Sequence, residues 1–144
     1  MGRPKKSKVY LAGPWFDEVA LTIHRTVKNI LKNIKGIECY FPDESECVSP
    51  AGVWNDNLNH IEKAEYVLAL IDVKDVGTAW ELGMAYQLKK KVFLVGIDED
   101  SFKTRTNLML AFCGPCITIG NLEKMLTGQE YKLAHIDREW GNIE

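Results

Sequence analysis

The chain has 144 residues, 46% of them hydrophobic, which suffices for one domain with a real core and leaves no need for a second. Its formal net charge of -2 argues against a protein whose main task is to coat nucleic acid or an anionic membrane. No apolar stretch approaches the roughly 20 residues of a membrane span, and the amino terminus lacks the apolar core of a signal peptide, so a cytoplasmic protein is expected.

Residues 1–7, with Arg3, Lys5 and Lys6, are expected to form a flexible basic tail ahead of a single domain over 8–144. Val9 to Ala12 is then a first strand, and Phe16 to about Ile34 a helix with Val19, Ile23, Val27, Ile30 and Leu31 on one face. Ile37 to Phe41 is a second strand, ended by Pro42. A helix around Val53 to Ala64 leads to the almost purely apolar third strand, Tyr66 to Ile71. A helix from Thr78 to about Leu88 leads to the fourth strand, Lys91 to Gly96. A helical piece near 104 to 112, a strand over 117–119 and a last helix around Leu122 to Leu126 complete the set. This alternation implies a five-stranded parallel sheet with right-handed crossovers and helices on both faces.

Of the four cysteines, Cys113-Gly-Pro-Cys116 reproduces the spacing of a redox dithiol. Such a motif is activated at a helix amino terminus, which lowers the first thiol's pKa. Here it follows a helical segment and precedes a strand, so a plain loop with reduced thiols is expected. The three histidines, His24, His60 and His135, are scattered, and no metal or other cofactor is expected. No glycine-rich phosphate loop of the GxGxxG or GxxxxGK[ST] type occurs.

Ligands of parallel sheets bind at the carboxyl ends of the strands. The ends of the first three strands bring together Gly13 to Phe16, then Asp43 and Glu44, then the acidic stretch Asp72 to Glu81. Gly13-Pro14 forces a turn that delivers Trp15 and Phe16 as flat surfaces suited to a nucleobase, although at least one of them also fits the core beneath the first helix. Glu81 has two readings. Thr78-x-x-Glu81 fits a helix capping box, in which Glu81 only returns a hydrogen bond to the Thr78 backbone; otherwise it is a carboxylate at the mouth of the sheet.

Tyr10-x-Ala-Gly-Pro-Trp-Phe16, Asp75-Val-Gly-Thr-Ala-Trp-Glu-Leu-Gly83 and Asn107-Leu-Met109 resemble, in order and spacing, the motifs of nucleoside 2'-deoxyribosyltransferases. The resemblance implies a flavodoxin-like, Rossmann-like three-layer domain that exchanges the base of a 2'-deoxynucleoside for a free nucleobase. It implies Glu81 as the nucleophile of a covalent deoxyribosyl intermediate, Tyr10 as its orienting partner and Asp75, beside Gly77, as a holder of sugar and nucleophile. Phe16 and Trp15 would line the base side. Asn107 and Met109 would complete a neighbouring subunit's site, which requires a homo-oligomer built from dimers, commonly a hexamer. The chemistry is coherent: a carboxylate against the anomeric carbon stabilises oxocarbenium character, captures it covalently and gives retention, with water as the competing acceptor.

Two departures from that pattern stand out. The family's acid/base aspartate aligns with Asn57, which can hydrogen-bond a base but not protonate it. On an ideal helix whose apolar face is set by Trp54, Leu58 and Ile61, Asn57 lies roughly 60° from the centre of that face and Asp56 roughly 160° away, so Asn57 is expected toward the pocket and Asp56 in solvent. The proton would then come from Asp56 through a shifted register, from Asp43 or Glu44, or not be needed. The chain also ends at Glu144 without the terminal tyrosine of one subgroup. Two other functions stay open: an N-glycosidase hydrolysing nucleosides or their 5'-monophosphates, and a non-catalytic nucleotide-binding module in which Glu81 is only a cap.

Overall fold

The computed structural model describes residues 5–72, 74–102 and 108–135. Five strands, β1 (Ser7–Ala12), β2 (Ile37–Tyr40), β3 (Tyr66–Leu70), β4 (Lys91–Gly96) and β5 (Cys116–Thr118), form one parallel sheet in the order β2-β1-β3-β4-β5. The helices are α1 (Glu18–Lys32), α2 (Pro50–Lys63), α3 (Val76–Gln87), α4 (Leu108–Ala111) and α5 (Ile119–Leu126). This order is the flavodoxin-like one, with its topological switch between β1 and β3.

Alternation along the strands divides the core in two. Tyr10, Ala12, Val67, Ala69, Val92 and Leu94 face Ile61 of α2, Leu82 and Ala85 of α3 and Ala111 of α4. Val9, Leu11, Leu68, Leu70 and Val95 face Ile23, Val27 and Leu31 of α1 and Leu122 of α5. The result is three layers, and neither face of the sheet is left to solvent.

Local chemistry sets the boundaries and moves several of them from expectation. β1 starts at Ser7, inside the stretch expected as tail. Asp17 caps α1 by accepting from Ala20 N at 2.8 Å, so the inward stripe runs through Ala20, Ile23, Val27 and Leu31, while Val19, expected inside, is exposed. α2 begins three residues early because Ser49 accepts from Gly52 N at 3.0 Å and Pro50 suits the first helical position. α5 starts at Ile119, where a strand was expected. The helical piece expected near 104 to 112 is described only as α4; its first part, with Asn107, and the chain from 136 onward lie outside the described residues.

Among the described residues, no helix is long and apolar enough to cross a membrane.

Candidate active site

Tyr10 sits fully buried on the α2–α3 face of β1, close to the strand's carboxyl end and directly beside the switch point. The chain then turns at Gly13, which packs on the buried Leu70 so tightly that a Cβ there would meet Leu70 Cδ1 at 2.8 Å. Trp15 and Phe16 follow with ring centroids 4.8 Å apart. Trp15 leans toward His24 of α1 and is half-buried, whereas Phe16 is largely exposed.

The decisive local feature is the start of α3. Asp75, not Thr78, is its cap: Asp75 Oδ2 accepts from both Thr78 N and Thr78 Oγ1 at 2.7 Å. Aspartate outranks threonine as a cap, and the helix therefore opens at Val76. Glu81 lies well inside the helix, beyond the reach of a capping box, and that reading falls. Gly77 keeps the cap open, since a Cβ there would stand 3.3 Å from Asp75 Oδ2.

Freed from the helix end, the Glu81 side chain turns into the sheet mouth. Its Oε2 and the Tyr10 hydroxyl are both buried without a hydrogen-bond partner of standard geometry among the described residues. They lie close enough to perturb each other. Burial pushes the Glu81 carboxyl up to about 7, with the Tyr10 hydroxyl opposing and the Asp75 charge adding. Burial, followed by the Glu81 charge, pushes the Tyr10 hydroxyl far above its usual range, so it stays a neutral donor.

A second group borders the first. Tyr10 pairs in register with Tyr40 of β2, and the two rings lie 5.4 Å apart. The Tyr40 hydroxyl stands 2.8 Å from Asp56 Oδ2 and equally 2.8 Å from Asn57 Oδ1, while Ser45 Oγ donates to the same Asp56 oxygen at 2.8 Å. His60 stacks on the Tyr40 ring at 3.7 Å, with its Nε2 3.5 Å from Asp56 Oδ1. This corrects the expectation that Asp56 is merely solvated. Tyr40 projects from the edge strand and reaches round α2, so the helix face in contact is wider than its apolar stripe. Trp54, used to define that stripe, is half-exposed against Trp80. Hydrogen bonds from Tyr40 and Ser45 hold the Asp56 carboxyl below its usual range. Tyr40 and His60 were missed from the sequence; the available signals were the shared register with Tyr10 and the i, i+4 spacing from Asp56.

The remaining candidates are placed as follows. Asp43 is bound to Lys28 Nζ at 2.8 Å and lies 3.8 Å from His24 Nε2, so α1 engages it. Glu44 pairs with Lys28 and Lys32. Asp72 accepts from Ile97 N and Ser101 Oγ and ties the end of β3 to the loop after β4. Met109 is exposed on α4, and Asn107 lies outside the described residues. Burial raises the Cys113 thiol, the opposite of what a redox nucleophile needs. α5 does begin three residues after Cys116, but β5 intervenes and both thiols lie at that strand's other end. Cys113 borders an open groove of about 610 Å³ with Tyr86 and Lys89, beside the start of β4 and far from the carboxyl-end cluster.

The domain is an α/β fold that sets a buried carboxylate, Glu81, against a phenol, Tyr10, at the switch point of a 2-1-3-4-5 sheet. The sequence pattern of the nucleoside 2-deoxyribosyltransferases matches residues 9–115, from β1 to the approach to β5, and the chain belongs to that family of enzymes acting on nucleosides. Among solved structures it is similar to the 2-deoxyribosyltransferase of the psychrotolerant bacterium Bacillus psychrosaccharolyticus, at 28% identity and a TM-score of 0.68, over 88% of this chain and all (100%) of that one. The 2-desoxiribosyltransferase of Leishmania mexicana shares the fold at 20% identity and a TM-score of 0.56, over 73% of this chain and 85% of that one. So does the CMP N-glycosidase of Clostridium botulinum, at 20% identity and a TM-score of 0.57, over 85% and 97%. No curated protein matches the chain.

Proposed function

We propose that the chain is a nucleoside 2'-deoxyribosyltransferase that exchanges the nucleobase of 2'-deoxynucleosides through a covalent deoxyribosyl intermediate on Glu81. The observation that supports this most is the Glu81 carboxyl itself: released from any capping duty, buried, and set against the Tyr10 hydroxyl at the switch point. A carboxylate kept from water is a poor anion in the empty site and a strong partner for a developing cation. Oxocarbenium charge at the anomeric carbon is such a cation, so the desolvation that penalises the free enzyme favours the transition state.

In this reading Glu81 attacks in its ionised form, Tyr10 steers it as a neutral donor, and Asp75 fixes the helix that carries it and lies beside the sugar. Phe16, more exposed than Trp15, offers its face to the base. Met109 and Asn107 belong to the site of a neighbouring subunit in a homo-oligomer, and 2'-deoxynucleosides and free bases are the partners. Retention follows from two displacements at one carbon, with water as the competing second nucleophile.

The test is incubation with deoxyinosine and free cytosine or adenine, followed by chromatography with and without the acceptor. A new deoxynucleoside is the expected product. Free base alone would instead mark an N-glycosidase, and no reaction with purine or pyrimidine donors would overturn the enzyme reading.

A further inference from the structure

Base departure needs a proton, and the residue at the expected delivery position is Asn57, an amide. The surroundings of that amide offer another route. The Tyr40 hydroxyl has one hydrogen and two neighbours at 2.8 Å, Asp56 Oδ2 and Asn57 Oδ1. The carboxylate is the stronger acceptor, so the hydrogen points to Asp56. The oxygen and nitrogen of an amide have nearly the same shape, and Asn57 then serves the phenol oxygen with its NH2 group. Behind Asp56 stands His60, 3.5 Å away and 42% exposed at its side chain, in contact with bulk water and of the one residue type that carries a proton near neutrality.

We propose that the proton releasing the leaving base passes through the Tyr40 hydroxyl, is supplied by Asp56 and His60, and is steered by the Asn57 amide. The inference rests on the transferase reading of Glu81. The step balances. The glycosidic bond breaks, its electron pair goes to the base nitrogen, and Glu81 forms the new bond to the anomeric carbon. Asp56 first takes a proton from His60, so that its hydrogen bond with Tyr40 reverses and frees the phenol hydrogen. The base nitrogen then takes the Tyr40 hydroxyl proton as Tyr40 takes one from the Asp56 carboxyl, leaving a carboxylate, a neutral phenol and a neutral His60 that water reprotonates. Attack by the second base runs the relay backwards. Tyr40 remains a neutral phenol at both ends of the step, and burial together with the Asp56 contact disfavours its phenolate. The groups facing Tyr40 are Tyr10 from β1, Ser45 and Cys47 from the loop after β2, and Asp56, Asn57 and His60 from α2. Among these described neighbours only His60 can bring a positive charge. Tyr40 is the group that meets the substrate; Asp56 and His60 act through it.

Two donors separate this relay from a structural role. Deoxyinosine needs its base protonated, whereas 4-nitrophenyl 2-deoxyriboside loses a phenolate that leaves unaided; adenine is the acceptor for both. Tyr40→Phe keeps the ring packing and is expected to slow the deoxyinosine reaction on the order of 10²-fold or more, the usual worth of general-acid help, and the nitrophenyl reaction by less than about tenfold. His60→Gln is expected to slow the deoxyinosine reaction by about tenfold or more and to leave the nitrophenyl reaction nearly unchanged. Equal losses on the two donors for Tyr40→Phe, with a nitrophenyl reaction that depends on Glu81, overturn the relay and leave the transferase standing. A chain inert on both donors overturns the transferase and the relay with it.

Discussion

Replacing Glu81 by glutamine separates a desolvated carboxylate from a structural one by its effect on stability, without any substrate. The folded protein holds this carboxyl at about 7 instead of its ordinary 4.5. At about 1.4 kcal/mol per tenfold, the native state therefore disfavours the carboxylate by roughly 3 kcal/mol. Because the folded value lies above the unfolded one, the stability linked to the protonated form is fully present below about pH 4.5. It is lost as pH rises through about 7, and above that the whole penalty applies. Glutamine mimics the protonated form at every pH. Glu81→Gln should thus be nearly neutral at pH 4.5 and more stable than the parent by about 3 kcal/mol at pH 8, a shift of roughly 10 °C in Tm for a domain of this size. Urea unfolding at both pH values and one fixed protomer concentration reads the difference, with the slope of the transition checked for constancy. A variant less stable than the parent by about 1 kcal/mol at pH 8 is what a capping glutamate predicts, and that result would refute the reasoning. So would a difference that does not change with pH.

Asp75→Asn keeps a good helix cap while removing the charge that adds to the Glu81 shift, so the acidic limb of kcat/KM should move to lower pH with little loss of stability. Asp75→Ala should make the same move and also cost about 1 kcal/mol, read by thermal unfolding; a pH profile that stays in place in both would deny the coupling. Gly13→Ala pushes a Cβ to 2.8 Å from Leu70 Cδ1 inside a packed core and should destabilise by about 1–3 kcal/mol, whereas an unchanged Tm would mean that the turn relaxes freely. Mixing inactive Glu81→Gln protein with inactive Asn107→Ala protein under subunit exchange should restore part of the activity, since one intact site then forms from two defective chains. No recovery, with exchange demonstrated by labelled subunits, would place Asn107 in its own chain's site.

The alternation of strands and helices was legible because each central strand is buried on both faces and so reads as an unbroken apolar run, Tyr66 to Leu70 above all. The order of the strands is not contained in that alternation and came only with the flavodoxin-like resemblance. It is fixed by which crossover covers which face, and that information is spread over α1 and α5 on one side and α2, α3 and α4 on the other. Boundaries failed where two start signals compete within a few residues: Asp75 against Thr78, and Ser49-Pro50 against the first apolar residue of α2. The stronger cap decided both.

The misplacement of Asp56 has a different origin and bears on how such sites are read. A helical wheel ranks positions by the apolar stripe, on the premise that the stripe alone meets the sheet. On α2 only Ile61 is fully buried, and the helix end nearer the site meets a long tyrosine from an edge strand. A phenol reaching out of β2 can receive groups from a broad arc of the helix, so Asp56 and Asn57, consecutive and about 100° apart, both end at one oxygen. Register between β1 and β2 carries the missing information: once Tyr10 is placed beside a carboxylate, its partner Tyr40 must lie on the same face, one ring away. An amide at the delivery position is then compatible with proton transfer, because the acid and the group that touches the base need not be the same side chain.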